Sequence, residues 1–399
     1  MVRISDQRDI EITDIQTTKV AGNFEWTLVR VYSDAGITGT GEAVLGPKAD
    51  AYIEYAKDVV IGKNPTDIDA RCTELFDQLA HYGAMNGIAV TAISGIDIAL
   101  HDLAGKVLDV PAYQLLGGKH RDEVRVYCDS HAGEHLRRTN VTDDYDPYSP
   151  ESYADAAEDV VEDGFDALKF DLDATDRYEL DQRNKHLNAR AIEYRTDIVE
   201  AVTERVGDRA DVAFDCHWSW TGDSIRRLAK AIEPYPVWWL EDTVPPENHD
   251  VQIQVTHSTD TTIAAGENVY RVEGARRLIE NQGLDILHPD VPKTGGMLET
   301  KKMADLAKAY YVPLALHNVS SPIGTMASAH VAAAASNFLA MEYHARDVDW
   351  WADLVAGSDS IIEDGCIAVP DKAGLGVDLD LDVVEDRMVE GETLFDPAQ

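Results

Sequence analysis

The sequence predicts an α/β protein: a closed parallel (β/α)8 barrel of the TIM type, with an α+β capping domain formed by the N-terminal region and the C-terminal tail. Two observations carry this. From about Glu123 onward, eight short apolar runs recur, each followed by polar residues and then a helical stretch. Ahead of them lies a segment with a different rhythm, in which strands give way to an Ala/Ile-rich helical pattern. An open doubly wound sheet is the competing architecture, but it usually has fewer strands, and no Gly-rich phosphate loop is present.

"IEITDIQTTKV" and "WTLVRVYSDAGITGTGEAV" read as strands joined by Gly/Asp turns. From Asp50 to Lys106 the pattern is helical and ends in "AVTAISGIDIALHDLAGK", whose small residues suit close packing. Residues 1–122 are therefore assigned to the cap. Residues 123–365 form the barrel, with strands at "VRVYCD", "DALKFD", "DVAFD", "VWWLED", "TIAAGEN", "DILHPD", "VPLALHN" and "FLAMEYH". A Pro/Asp-rich loop, "RRTNVTDDYDPYSPES", interrupts the rhythm after the first of these. Residues 366–399 are expected to return to the cap, with a strand just after Gly374.

At 44% hydrophobic residues the chain can bury a substantial core. Its 73 acidic residues against 35 Lys and Arg give a net charge of −38, which repels nucleic acid and anionic membranes and excludes both as partners. Such a shell suits high salt, where screening weakens self-repulsion; an ordinary acidic cytosolic protein is the alternative. Cys72, Cys128, Cys216 and Cys366 show no CxxC pair or zinc spacing, as expected of free thiols in a reducing cytoplasm. "MVRISDQRDIEI" has no apolar signal core, and no segment reads as long enough to cross a bilayer. A cytoplasmic location is expected, which makes the sequon at Asn140 accidental.

The strand ends hold the chemistry. Lys169, Asp215, Glu241, Glu267, Asp290, His317 and Glu342 each follow an apolar run, and from Asp215 the steps are 26, 26, 23, 27 and 25 residues. Each step is one βα unit, so these side chains converge on the C-terminal mouth of the barrel. Asp215, Glu241 and Glu267 come from consecutive strands. Three converging carboxylates need a cation, and hard oxygen donors suit Mg²⁺. Asp290 beside His317 fixes an imidazole's tautomer and raises its basicity, which makes a general base. In "VAFDCHWSW", His217 lies two residues after Asp215, on the same strand face.

With these motifs the chain resembles the enolase superfamily and, within it, the mandelate racemase subgroup; "HPDVPKTGGMLETKKMADLA" and "GIDIALHDLAGK" match in detail. "FDCHW", "WWLEDTVPPEN" and "AGENVYR" resemble the acid sugar dehydratases of that subgroup. The resemblance implies Mg²⁺ on Asp215, Glu241 and Glu267, with His317 abstracting the α-proton while Asp290 orients it. It also implies Lys169 on the substrate carboxylate and Glu342 as an acid hydrogen-bonded to the developing enediolate. A homo-oligomer with an even number of subunits is expected on the same ground.

One departure bears on the reaction. Racemases of the subgroup carry a KxK pattern on the second strand, whereas "LKFDLD" places Asp171 where the second Lys would be. Losing an opposing base argues against racemisation. Hydroxide is a poor leaving group, and His217 beside a metal ligand is placed to release it as water. The expected activity is dehydration of an aldonic acid to a 2-keto-3-deoxy acid. Gluconate is expected first, because "PPEN" and "GENVYR" look most like gluconate dehydratases, then xylonate or arabinonate, then galactonate. Substrate contacts are expected from Lys169, Asp171 and the cap loops "AGNFEW" and "HYGAMNG", through Asn23, His81 and Tyr82. The alternatives are an epimerase or racemase that uses Asp171 or His217 as a second base, and a non-catalytic binding barrel.

Overall fold

The structure, a computed structural model, describes residues 10–83, 86–130, 146–357 and 360–396. Part of "HYGAMNG", most of the Pro/Asp-rich loop and the sequon lie outside them.

The cap opens with an antiparallel sheet of β1 (Ile12–Ala21), β2 (Glu25–Ser33) and β3 (Thr38–Ala43). Helices α1 (Ala49–Ala56), α2 (Ile68–Leu79) and α3 (Ile88–Leu108) follow. α3 lies so close to the sheet that a Cβ on Gly41 would sit 2.2 Å from the Gly95 carbonyl oxygen. This explains the small residues in its sequence. α3 corrects one expectation: with 21 residues it is long and apolar enough to span a bilayer. Its most apolar stretch is instead 94% buried inside the protein, between the cap sheet and the barrel.

Eight parallel strands close the barrel: β4 (Glu123–Ser130), β5 (Ala167–Asp171), β6 (Asp211–Asp215), β7 (Val237–Glu241), β8 (Ile263–Ala265), β9 (Ile286–Leu287), β10 (Leu314–Leu316) and β11 (Phe338–Tyr343). Each pairs with the next, and β11 returns to pair with β4. The interior is filled by Tyr127, Ala167, Ala213, Trp239, Ala264, Ile286, Ala315 and Ala340. The alanines leave room for the two large rings, which meet edge to face with centroids 5.3 Å apart.

The tail differs from expectation. β12 (Cys366–Ala368) pairs antiparallel with β4 on the barrel. After Gly374 the described residues form no strand but isolated bridges, Gly374 to Pro111 and Leu379 to Val355, followed by a helix over Leu381–Arg387. Asp380 accepts hydrogen bonds from the backbone N–H groups of Asp382 and Val383, and this cap favours the helix over an extended chain. The chain does reach the cap: the Val389 N–H donates to the Lys19 carbonyl, and Tyr32 Oη donates to the Asp396 carbonyl.

Candidate active site

One rule builds the mouth. Side chains two residues apart on a strand share a face, so seven of the eight residues that fill the interior are followed, two positions later, by a polar residue at the rim, and the eighth, Ala264, leads to Gly266. Tyr127 leads to Asp129, Ala167 to Lys169, Ala213 to Asp215 and Trp239 to Glu241. Ile286 leads to His288, Ala315 to His317 and Ala340 to Glu342. All seven rim residues are buried.

Lys169 is the hub. Its Nζ lies 2.8 Å from Glu241 Oε1, 3.1 Å from Asp215 Oδ2, 3.1 Å from Glu342 Oε1 and 3.8 Å from Asp129 Oδ2. Burial opposes its charge, but Glu241, Glu342, Tyr127 and Asp129 outweigh that and raise its pKa well above the ordinary value. Trp239 Nε1 donates to Glu241 Oε2 at 2.8 Å, and His288 Nδ1 lies 3.3 Å from Glu241 Oε1. Burial would raise the Glu241 carboxyl, yet His288 and Lys169 hold it well below the usual range.

A second group lies around β8 to β10. His317 Nδ1 is 2.6 Å from Asp290 Oδ2, and its Nε2 is 2.7 Å from Glu267 Oε2. Lys293 Nζ donates to Glu267 Oε1 at 2.9 Å. Against burial, His317 and Lys293 lower the Glu267 pKa, while Glu267, Glu342 and Asp290 raise that of His317. Glu342 accepts from Tyr127 Oη and the Asn318 N–H, both at 3.2 Å. Lys169 and His317 overcome burial and hold it at about 2, so Glu342 is an acceptor here.

His217 occupies the third part of the mouth. Its Nδ1 lies 3.0 Å from Asp173 Oδ1 and its Nε2 3.6 Å from Asp215 Oδ2. Burial opposes protonation, but Asp215, Asp173 and Asp171 together push its pKa far up. Asp171, Asp215 and His217 each offer a ligand atom within 4.8 Å of the others.

The residues fit a hard divalent cation. Buried acceptors at Asp129 Oδ1, Asp242 Oδ2 and Asp290 Oδ1 have no hydrogen-bond donor among the described residues. Desolvation raises Asp215 and Asp242 well above the carboxylate range, and neighbouring Glu241 and Glu267 push the same way. Asp215 and Asp242, so crowded, are what a bound cation relieves, while Glu241 and Glu267 already have Lys169, His288, His317 and Lys293 beside them. Of the carboxylates expected to ligate it, Asp215 and Glu241 share Lys169, whereas Glu267 sits with His317 and Lys293.

The cap loops divide. Asn23 Nδ2 donates to the His344 carbonyl at 2.8 Å and to Asp347 Oδ1 at 3.1 Å, and His344 Nε2 lies 3.6 Å from Asp129 Oδ2. Asn23 therefore stands at the rim. His81 and Tyr82 are exposed, and Tyr82 packs its ring edge against Tyr55 of α1. No contact among the described residues brings either of them to the strand ends, because the short helix that carries them, Ala80–Tyr82, continues α2 on the cap surface.

Sequence reasoning missed Asp129, Asp173, Asp242, His288 and Lys293. Four of these had a signal. Asp129 and His288 follow Tyr127 and Ile286 by two positions. Asp173 continues the Lys169, Asp171 ladder by one more step, and Asp242 directly follows Glu241. Lys293 reaches Glu267 from the turn after β9, which no strand periodicity reports.

Fold and mouth together define a barrel enzyme equipped for acid–base chemistry on an anion. The chain belongs to the enolase superfamily, in the group of mandelate racemase and muconate lactonizing enzyme. Residues 7–117 match the family described as "Mandelate racemase / muconate lactonizing enzyme, N-terminal domain", and residues 152–383 match "Enolase C-terminal domain-like". The chain is 58% identical to a D-xylonate dehydratase of Haloferax volcanii over 98% of this chain and 92% of that protein. It is 30% identical to a D-galactonate dehydratase of Variovorax paradoxus, over 95% of this chain and 94% of that one. Among solved structures, a mandelate racemase/muconate lactonizing enzyme-like protein from Rubrobacter xylanophilus superposes with a TM-score of 0.90 at 37% identity, covering 97% of this chain and all of that one.

Proposed function

We propose that this acid sugar dehydratase, a hydro-lyase, acts on D-xylonate and converts it to the 2-keto-3-deoxy acid. The observation that carries the substrate is the 58% identity, across nearly the whole chain, to a D-xylonate dehydratase. This moves the substrate away from gluconate. The motifs that favoured gluconate, "PPEN" and "GENVYR", follow β7 and β8 beside Glu241 and Glu267, where they serve chemistry common to aldonic acids. They say little about chain length.

Lys169 binds the substrate carboxylate, its charge held by the surrounding acids. Asp215, Glu241 and Glu267 would hold Mg²⁺, which would supply electrostatic stabilisation of the charge that develops on that carboxylate. His317, its Nδ1 fixed by Asp290, takes the C2 proton on Nε2. The C3–O bond then breaks with its electron pair on oxygen, and His217 donates the proton that lets it leave as water. The enol left behind tautomerises to the ketone. Burial of Lys169, Asp290 and His317 strengthens the interactions they make. With the opposing position on β5 held by Asp171, a carboxylate too weakly basic to match a lysine, return of the proton on the other face is disfavoured.

The test is a product assay in molar KCl with Mg²⁺ on D-xylonate, L-arabinonate, D-gluconate and D-galactonate. D-xylonate is expected to give the 2-keto-3-deoxy acid with the highest kcat/KM. A higher value for gluconate would restore the six-carbon assignment. Product from none of them would refute the proposal.

A further inference from the structure

We propose that Asp173 is the positioning residue of the acid half-reaction: it fixes the ring and tautomer of His217 as Asp290 does for His317. The proposal rests on the dehydratase reading above. Asp173 follows β5, two residues past its last paired position. Asp171 pairs with Asp215 across β5 and β6, and the Leu172 N–H donates to the Asp215 carbonyl at 2.8 Å. Both strands end at this pair, and the chain after β6 turns, with His217 at φ 38°, which brings its imidazole to Asp173.

Both carboxylate oxygens are used. Oδ1 lies 3.0 Å from His217 Nδ1, and Oδ2 accepts from Ser219 Oγ at 2.6 Å. A carboxylate that accepts at both oxygens requires the proton on Nδ1. The proton given up is then the second one of the imidazolium, on Nε2, which lies 3.6 Å from Asp215 Oδ2, and donation leaves the neutral ring with its proton on Nδ1 beside Asp173.

The backbone on either side of Asp173 is clamped. Arg195, wholly buried, donates from Nε to the Leu172 carbonyl and from Nη2 to the Thr175 carbonyl, both at 3.1 Å. Its charge is met by Glu179 Oε1 at 2.5 Å, which also accepts from Trp220 Nε1 at 3.0 Å. Trp220 in turn lies under the guanidinium, 4.4 Å from centre to ring. A buried ion pair is costly unless its geometry is well satisfied, and here it holds the two carbonyls that bracket Asp173. Thus the strand that lacks the second lysine of the KxK pattern supplies, one step further, the partner of the acid.

The experiment compares wild type, Asp173→Ala and Asp173→Asn with Mg²⁺ and D-xylonate in D2O. It measures water loss, C2 deuterium in recovered substrate, and ¹⁵N resonances of labelled histidine. Water loss is expected to fall roughly 10- to 100-fold in Asp173→Ala, the usual effect of losing an orienting partner, and less in Asp173→Asn, which keeps an acceptor. C2 exchange is expected to persist, and the His217 Nδ1–H resonance, assigned by its absence in His217→Asn, is expected to be lost in Asp173→Ala. A parallel fall of exchange and water loss, or an unchanged His217 tautomer, would overturn the proposal. Absence of turnover in the wild type would fail the dehydratase reading alone, because the ¹⁵N measurement still decides whether Asp173 sets the tautomer.

Discussion

At the scale of single residues, the site consists of three polar groups that divide a shared charge. Lys169 satisfies Asp215, Glu241 and Glu342; Asp290 and Glu267 flank His317; Asp173 and Asp215 flank His217. The regular spacing of strand ends made most of these legible, because one βα unit after another delivers a side chain to the same place. Residues that act through a partner were harder to read. His288 precedes Asp290 by two positions, and "HPD" drew attention to its acid rather than its imidazole. Lys293 could not be read from periodicity, since it approaches Glu267 from a turn. Asp173 could have been found by extending the i, i+2 ladder from Lys169 past Asp171.

At the scale of elements, the cap is more than a lid, because α3 holds the segment after β9 in place. Ser94 Oγ accepts from the Gly295 N–H at 2.9 Å, and Asp97 Oδ2 accepts from the Met297 N–H at 2.6 Å at the start of the helix Gly296–Ala309. This turn carries Asp290 at one end and Lys293 within it. The motif "GIDIALHDLAGK" was legible as a close-packed helix, but its carboxylate's role at a barrel helix was not, since the partner lies some 200 residues away in the chain. Gly296 has φ 84°, and a Cβ there would sit 2.4 Å from Asp97 Oδ2. Gly296→Ala is therefore expected to cost roughly 1–3 kcal/mol in backbone strain, and more through the displaced carboxylate. Denaturant unfolding measures it. A midpoint within error of wild type would show that the cap does not fix this turn.

At the scale of the whole molecule, cap, barrel and tail meet at His330. Its Nδ1 accepts from the Tyr113 N–H at 3.2 Å, and its Nε2–H donates to the Leu375 carbonyl at 3.1 Å. Burial lowers its pKa to about 4, and the nearby His101 pushes the same way. The folded state therefore disfavours the proton that the unfolded chain accepts near pH 6.5. Stability from this group is fully present above 6.5 and is lost as pH falls towards 4, on the order of 3 kcal/mol in total. Unfolding free energies at pH 7.5 and 4.5, compared between wild type and His330→Gln, are expected to show a smaller acid loss in the variant; equal losses would remove His330 from the account. The barrel itself was legible because eight runs must close on themselves. The tail was not, because Asp380 caps a helix where alternating Asp and apolar residues read as a strand.

The measurement that tests the central claim most directly follows both half-reactions in D2O for wild type, His317→Asn and His217→Asn with D-xylonate and Mg²⁺. A base on β10 and an acid after β6 predict that His317→Asn loses both C2 exchange and water loss. His217→Asn is predicted to return substrate deuterated at C2 while water loss falls at least tenfold further than exchange, about 1.4 kcal/mol of separation between the two steps. Exchange surviving in His317→Asn, or both rates falling together in His217→Asn, would contradict the division of labour between the two histidines.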